Sequence, residues 1–451
     1  MYTLEFTLKQ HSPIIHFQYF LSDATLRSTE LKSALDKFII GERLKCWSCD
    51  QTERLKMVIA DEKFNKWLKH SVKPSNPSFD YDIELIVLAP SIKKILQVSE
   101  LKNYGFFGNQ PNEDSFKDEE KFKKAVIETG LIKLTIKSPY IELLGEIDKI
   151  IAKFFLLKNF GTRQSKGFGC FYPIEKHEYL QTQKNLPYYF DYNRDNIEYK
   201  KIVHEQKTLK HYELFEVIKL FYNTLRSGIN IPNHNQTDSV FYFKSLMWAY
   251  AKSKNEHWDK KAIKNEYKLG SDAGEDTKWK GKSTAYKSDP NNFPLGYKDS
   301  KSKKDERHIW RDILGLSSLE NAGGWKLSKD HNGNEHKITR FKSPIIFKPF
   351  KVNENQYRVF FGVDPTLNSQ FKIGAKNNSE AEILGKQFNV KFHGNGNLKL
   401  KYPVSFDYSD YLKFAINTYN STPNWIENTY HVSNEFHIID SIYKQLKLQV
   451  I

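Results

Sequence analysis

Between Asn159 and Gly169 the chain reads Asn-Phe-Gly-Thr-Arg-Gln-Ser-Lys-Gly-Phe-Gly, and the chemistry open to such a run is anion binding. Gly161, Gly167 and Gly169 let the main chain approach a ligand closely and turn its N–H groups towards it, while Arg163 and Lys166 add positive charge. Thr162, Gln164 and Ser165 fill the run with further hydrogen-bonding groups. Together they suit a phosphate.

Three other loop types are excluded or weakened by spacing. No Gly-Lys-Ser/Thr follows four residues after a glycine, and the run does not join a strand to a helix, so it is not a P-loop. It does not match the dinucleotide fingerprint. Lys166-Gly167-Phe168-Gly169 matches the opening of the aromatic-rich strand of an RNA recognition motif, but Cys170 replaces the next aromatic and a helix precedes. The plainest alternative is a helix C-cap at Gly161 with a tight turn into a strand.

A loop grips only if rigid elements hold both its ends. Upstream, Leu143, Leu144, Ile147, Ile150, Ile151, Phe154 and Phe155 recur at helical spacing, with Ser138 as N-cap and Pro139 at the first helical position. Downstream, Phe168 to Tyr172 reads as an aromatic-rich strand. Earlier in the chain, Leu4, Phe6 and Leu8 alternate with Thr3, Glu5 and Thr7 in a half-buried strand, which Ser12-Pro13 ends. Leu31, Ala34, Leu35, Phe38 and Ile39 share one face of a helix over about 28–40, capped by Ser28 or Thr29. Ile83, Leu85, Val87 and Ala89 mark a second strand and Leu131 to Lys137 a third. Strand, helix, strand, strand, helix, strand is the ferredoxin-like order. The expectation is an α+β, RRM-like βαββαβ domain over residues 1–185, carrying long insertions at about 41–80 and 90–130.

Composition bounds the partner. Lys and Arg number 69 against 54 Asp and Glu, giving +15, which points to a polyanion such as nucleic acid or to an anionic surface. The 25 Tyr and 32 Phe would suit base stacking where they are not buried. No stretch is long and apolar enough to span a bilayer, so no membrane partner is expected. Three cysteines do not form a disulfide framework and fit a reducing cytoplasm. Cys46 and Cys49 form a C-x-x-C without a second pair to complete four zinc ligands, so they read as ordinary thiols. No metal or cofactor is expected.

Two motifs carry a family resemblance. Leu26-Arg27-Ser28-Thr29-Glu30-Leu31-Lys32-Ser33-Ala34-Leu35 and Gly161-Thr162-Arg163-Gln164-Ser165-Lys166-Gly167-Phe168-Gly169 occur in that order. They resemble the L-R-x-x-x-L-K-x-x-L first helix and G-x-R-x-R/K-x-G-F-G loop of the RAMP superfamily of CRISPR proteins, nearest to the first subunit of the type III-B Cmr effector complex. Glu30 departs from the small or hydroxyl residue of that pattern, and no glycine follows Lys32. The likeness covers about residues 1–175. It implies a glycine-rich loop between the second helix and the last strand that contacts RNA, with Arg27 and Lys32 on the same face, and tandem ferredoxin-like domains.

Over the second half, Ser12-Pro13-Ile14-Ile15 is echoed by Ser343-Pro344-Ile345-Ile346, a hint of a second, divergent ferredoxin-like domain over 186–451. A helical segment at 208–225 precedes a basic insertion at 252–307, where Lys278, Lys280, Lys282, Lys301, Lys303 and Lys304 stand among polar residues with Trp258 and Trp279. That insertion is either a solvated arm or a contact to RNA or a neighbouring subunit. Strands follow near 357–363, 389–392 and 398–402 and helices near 409–420 and 436–448, with a hairpin turn at Gly394-Asn395-Gly396-Asn397.

The resemblance implies a non-catalytic RNA-binding subunit of a cytoplasmic ribonucleoprotein, touching the guide RNA 3′ region, the target RNA and other RAMP subunits. Two readings compete. A RAMP endoribonuclease would need a general base, for which His11 and His16 are placed, or an Asp such as Asp23. A structural subunit would use its basic surface on protein neighbours.

Overall fold

The computed structural model describes residues 1–16, 25–47, 51–69, 77–88, 92–96, 124–195, 212–232, 239–243, 245–254, 310–317, 320–322, 325–331, 334–337, 340–341, 343–364, 387–391, 397–401, 403, 406–421 and 434–450. His16 is described as backbone only. Asp23, Cys49, Ala89, Trp258, Trp279, the basic insertion at 252–307 beyond Lys254 and the turn at 394–396 lie outside these residues. Two compact units result, Met1–Tyr192 with Ile345–Ala381, and Asn193–Pro344 with Glu382–Ile451.

The first unit is α+β. Its main sheet takes the first strand Tyr2–Gln10, the second Asp82–Val87, the third Leu131–Ser138 and the fourth Phe171–Pro173 in the spatial order second, third, first, fourth. Every neighbour in this sheet is antiparallel. The register sets Phe6 opposite Leu134 and Leu8 opposite Ile132, so one face is apolar and buried. Two helices cover that face.

The first helix runs Ser28–Leu44 and buries Leu31, Leu35, Phe38 and Ile39. Its N-cap is Arg27, with no side-chain cap bond, so neither Ser28 nor Thr29 plays the expected capping part. The second runs Ile141–Leu157, and all seven apolar positions that mark it in the sequence are buried. It begins later than the Ser138-Pro139 signal because Tyr140 is the N-cap. Ser138 Oγ instead accepts from the Tyr140 amide at 3.1 Å and donates to the Asp80 carbonyl at 2.7 Å, tying helix entry to the chain before the second strand.

A second, three-stranded sheet belongs to the same unit, ordered Ile345–Lys351, Gln356–Val363, Tyr188–Asn193. Ile345 to Phe350 are all buried, and Ile346 and Phe350 join the core of the first unit. Both Ser-Pro-Ile-Ile motifs therefore lead into buried strands of one unit, Ile14–His16 being the other. Cys46 is buried and disulfide-bonded, which corrects its reading as a plain thiol; Cys170 is a buried free thiol.

The second unit carries helices Tyr212–Arg226, Leu246–Ser253, Tyr408–Ser421 and Asn434–Lys447 and a five-stranded sheet that includes Trp325–His331, Gln387–Lys391 and Asn397–Lys401. The last two pair antiparallel across the expected hairpin. Arg311–Leu314 form a short 3-10 turn. Its helices pack through tyrosines that keep a polar contact: buried Tyr222 bonds Leu314 O, and Tyr443 meets Thr224 Oγ1 at 2.7 Å. Among the described residues no helix is long and apolar enough to cross a membrane, and no cluster of three or more His, Cys, Asp or Glu side chains is placed to hold a metal ion.

Candidate nucleic-acid interface

The glycine-rich run leaves the second helix at Lys158, the C-cap, whose amide bonds Phe154 O at 2.9 Å. Gly161 lies three residues further on and is not the cap. Phe160 is buried against Phe154, Phe155 and Phe171, and its amide donates to Gly169 O at 3.0 Å, closing the base of a ten-residue loop. At Gly169, φ is +68° and an added Cβ would stand 2.0 Å from Phe160 O. At Gly161, φ is +75° and a Cβ would meet Ile15 O at 2.7 Å. Both glycines are demanded by close backbone approach.

The segment His11–Ile15 stitches the loop from one side. Ser12 Oγ donates to Gly167 O at 2.6 Å and accepts from Cys170 N at 3.0 Å. Gly169 N donates to Pro13 O at 2.8 Å and Thr162 N to Ile15 O at 3.1 Å. From the other side comes the strand Ile345–Lys351. The Nζ of Lys348, fully buried, donates to Lys158 O and to Asn159 Oδ1, both at 2.7 Å. Asn159 Nδ2 in turn donates to Gln164 O at 2.7 Å and Phe347 O at 3.0 Å. Burial pushes Lys348 down to about 8 and the neighbouring Cys170 thiol up to about 11. Nothing in the sequence pattern marks Lys348, Asn159 or Ser12 as partners of the loop.

Within this frame Gln164–Lys166 make a 3-10 turn, and Arg163 just before it sits at φ 59°, ψ 30°. A long non-glycine side chain in the left-handed region is uncommon and costs on the order of 1 kcal/mol, so the surroundings must impose it. Gly161, Thr162, Arg163, Gln164 and Lys166 are half-buried and form the loop's outer edge, while Ser165, Gly167, Phe168 and Gly169 are buried. Phe168, fully buried, supports the loop from within and has no face for a base to stack on. All three glycine amides are spent inside the protein, that of Gly169 on Pro13 O. Gly161 N donates to Glu30 Oε1 at 3.0 Å and Gly167 N to Gln164 O at 3.2 Å.

The first helix meets the loop through its opening turn, which carries Arg27 and Glu30. Lys32, one turn on, is committed elsewhere. Its ammonium donates to Phe79 O at 2.8 Å, pairs with Asp36 at 3.6 Å and lies 3.6 Å from the Tyr81 ring centroid. Burial lowers its pKa, with Asp36 opposing.

The open face of the main sheet is a different surface. The residues alternating with the core are Glu5, Thr7, Lys133, Thr135 and Lys137, joined to Glu84 across the second strand. Lys133 pairs with Glu5 at 2.8 Å and Lys137 with Glu84 at 2.9 Å. These exposed pairs are worth little in stability, but they balance the charge, and the aromatic paired with Lys9 on this side, Tyr172, is buried against Phe350. An RNA recognition motif would stack bases there.

His11 is 9% exposed, its ring 4.8 Å from that of Phe350, and its Nδ1 accepts the Lys351 amide at 3.0 Å. Desolvation drives it down to about 3. It is a neutral structural imidazole whose Nδ1 lone pair is already used, which argues against its serving as a general base.

Comparison with known proteins places the chain. A model of the Cmr1 N-terminal domain matches residues 1–229, and a model of the Cmr1 C-terminal domain matches residues 242–444. Among solved structures the chain is similar to the apo crystal structure of Cmr1 from Pyrococcus furiosus, at 12% identity and a TM-score of 0.34, over 80% of this chain and 88% of that one. No curated protein matches. The two domain models follow one another over nearly the whole sequence, and the chain therefore belongs to the Cmr1 family, the first subunit of the type III-B Cmr complex.

Proposed function

We propose that this chain is a non-catalytic RNA-binding subunit of a type III-B CRISPR ribonucleoprotein effector, gripping the backbone of the guide RNA 3′ region or of the target RNA with the outer edge of its glycine-rich loop. One observation carries the reading. Arg163, held in the left-handed region, lies on a half-buried edge whose root is fixed from both sides by Ser12 and Lys348, and Lys166, on the same edge with its Nζ buried, adds its charge from beneath. A preset basic edge recognises phosphate without reading sequence, because phosphates position a strand and bases specify it.

Gly161, Thr162, Arg163, Gln164 and Lys166 form the contact, with Arg27 at the N-cap of the first helix. Ser165, Gly167, Phe168 and Gly169 shape it from inside. Lys32 acts at one remove, by holding the helix to the chain before the second strand. The sheet order supports a ferredoxin-like module in the first unit, and a divergent second module is proposed for the rest of the chain. Other RAMP subunits and a cytoplasmic setting follow from the same reading.

The test is single-stranded RNA binding by the full chain, followed by fluorescence anisotropy across salt concentrations. Replacing Arg163 and Lys166 together by alanine weakens binding roughly ten- to thirty-fold for any sequence, and flattens the slope of log K against log salt by about one to two. Unchanged affinity and slope would remove the loop from the RNA surface.

A further inference from the structure

The first amide of the loop is already occupied by an anion. Glu30 reaches from the opening turn of the first helix, and its Oε1 accepts the Gly161 N–H at 3.0 Å. That N–H is held in place, because Gly161 adopts φ +75° against Ile14 and Ile15 O, and the next amide, Thr162 N, is bonded to Ile15 O. A carboxylate on a fixed amide of a glycine-rich turn makes the contact that a phosphate oxygen would make there.

Two polar atoms on the same junction have unmet hydrogen-bonding capacity. Arg27 Nη2 and Thr162 Oγ1 are buried with no hydrogen-bond partner. Arg27 is the N-cap of the helix whose first turn carries Glu30, and Thr162 directly follows Gly161. A buried guanidinium nitrogen without an acceptor is costly, and an incoming acceptor oxygen would relieve that cost. A phosphate at the Gly161 amide would bring acceptor oxygens to the junction where these donors stand unmet. Glu30 holds only the amide.

The geometry points to Glu30 as an internal stand-in for an RNA phosphate: backbone binding at the loop displaces its carboxylate from the Gly161 amide, so that Glu30 sets the threshold for RNA capture. This rests on the reading of the loop as an RNA contact. Bare loop closure would need an acceptor at this amide but no charge, whereas competition needs the charge.

The discriminating variant is Glu30→Gln, which keeps an amide oxygen able to accept from Gly161 and removes the negative charge. Glu30→Ala removes both. Binding of a single-stranded RNA oligonucleotide to the full chain is measured by anisotropy at low and moderate salt, beside wild type and the Arg163→Ala, Lys166→Ala double variant. Competition predicts that Glu30→Gln and Glu30→Ala each bind about three- to ten-fold more tightly, with the gain shrinking as salt rises. A loop-pinning role predicts no change for Glu30→Gln and a loss for Glu30→Ala, and that pattern overturns the proposal. Either variant that keeps the wild-type melting temperature suffices. If the double variant weakens binding while the Glu30 variants do not strengthen it, this inference falls and the loop reading stands. If the double variant is also silent, both fall.

Discussion

Lys348 links the stability of the first unit to pH in a way that can be worked out and measured. Its ammonium is buried on Lys158 O and Asn159 Oδ1, and burial holds it at about 8 where an unfolded lysine titrates at 10.5. Between those values the unfolded chain binds the extra proton, so stability rises with pH, by about 3 kcal/mol at ~1.4 kcal/mol for each pH unit. Cys170 opposes it. Its thiol keeps a proton to about 11 while an unfolded cysteine releases one at 9.0, so this contribution falls by a similar amount between pH 9 and 11.

In the wild type the pair therefore gives a rise from pH 8 to 9, and then a near-plateau to about 10.5. In a Cys170→Ala background only the lysine remains, lowered at least as far because the thiol that raises it is gone. Comparing that background with and without Lys348→Met by urea unfolding from pH 7 to 10.5, the stability difference in favour of lysine grows by about 3 kcal/mol. The absolute difference at pH 7 is less informative. Losing the ammonium relieves the same ~3 kcal/mol but strands two acceptors at about 1–3 kcal/mol each, and these nearly cancel. A difference that stays flat across the range would show that Lys348 is not held as a buried cation, and would remove it as the clamp of the loop root.

Two further outcomes follow from the same geometry. Gly169→Ala places a methyl 2.0 Å from Phe160 O at φ +68° and lowers the melting temperature by the equivalent of roughly 2–4 kcal/mol; a shift of under 0.5 kcal/mol would mean the loop base opens freely. His11 is held at about 3 against 6.5 unfolded, so wild-type stability falls as pH drops from 6.5 towards 3, by up to about 5 kcal/mol. His11→Asn, whose amide oxygen can still accept from Lys351, flattens that acid limb in urea unfolding at pH 4 and 6.5, and an unchanged limb would assign the acid sensitivity elsewhere.

Elements with strong periodicity were legible from residue types. The second helix was readable because seven apolar positions repeat over four turns, and all are buried. Strand limits fall within a residue or two, except for the fourth. It starts at Phe171 because Phe168 is drawn into the loop and Gly169 turns the chain. The slot of the glycine-rich loop was readable from the helix before it and the aromatics after it. Its fastening was not. Ser12, Lys348 and Glu30 reach it across separations of 155, 189 and 131 residues, and no local pattern encodes a contact that only tertiary folding creates. A lysine among Ile345–Lys351 reads as a solvent-facing break in a hydrophobic run, yet Lys348 is as buried as its neighbours. Lys32, which the family motif sets on the same face as Arg27, is drawn inward by Phe79, Tyr81 and Asp36, partners that lie 47, 49 and four residues away in the chain.

The strand that clamps the loop is made long after the loop itself. Lys348 is translated 189 residues after Asn159, a delay of roughly 10–40 s at 5–20 residues per second. A nascent chain therefore exposes Gly161 to Gly169 with its root unfastened until the ribosome has delivered the later strand. Maturation of the basic edge is in this way timed to delivery of the later strand, and a product interrupted before Ile345 would leave the ribosome without it.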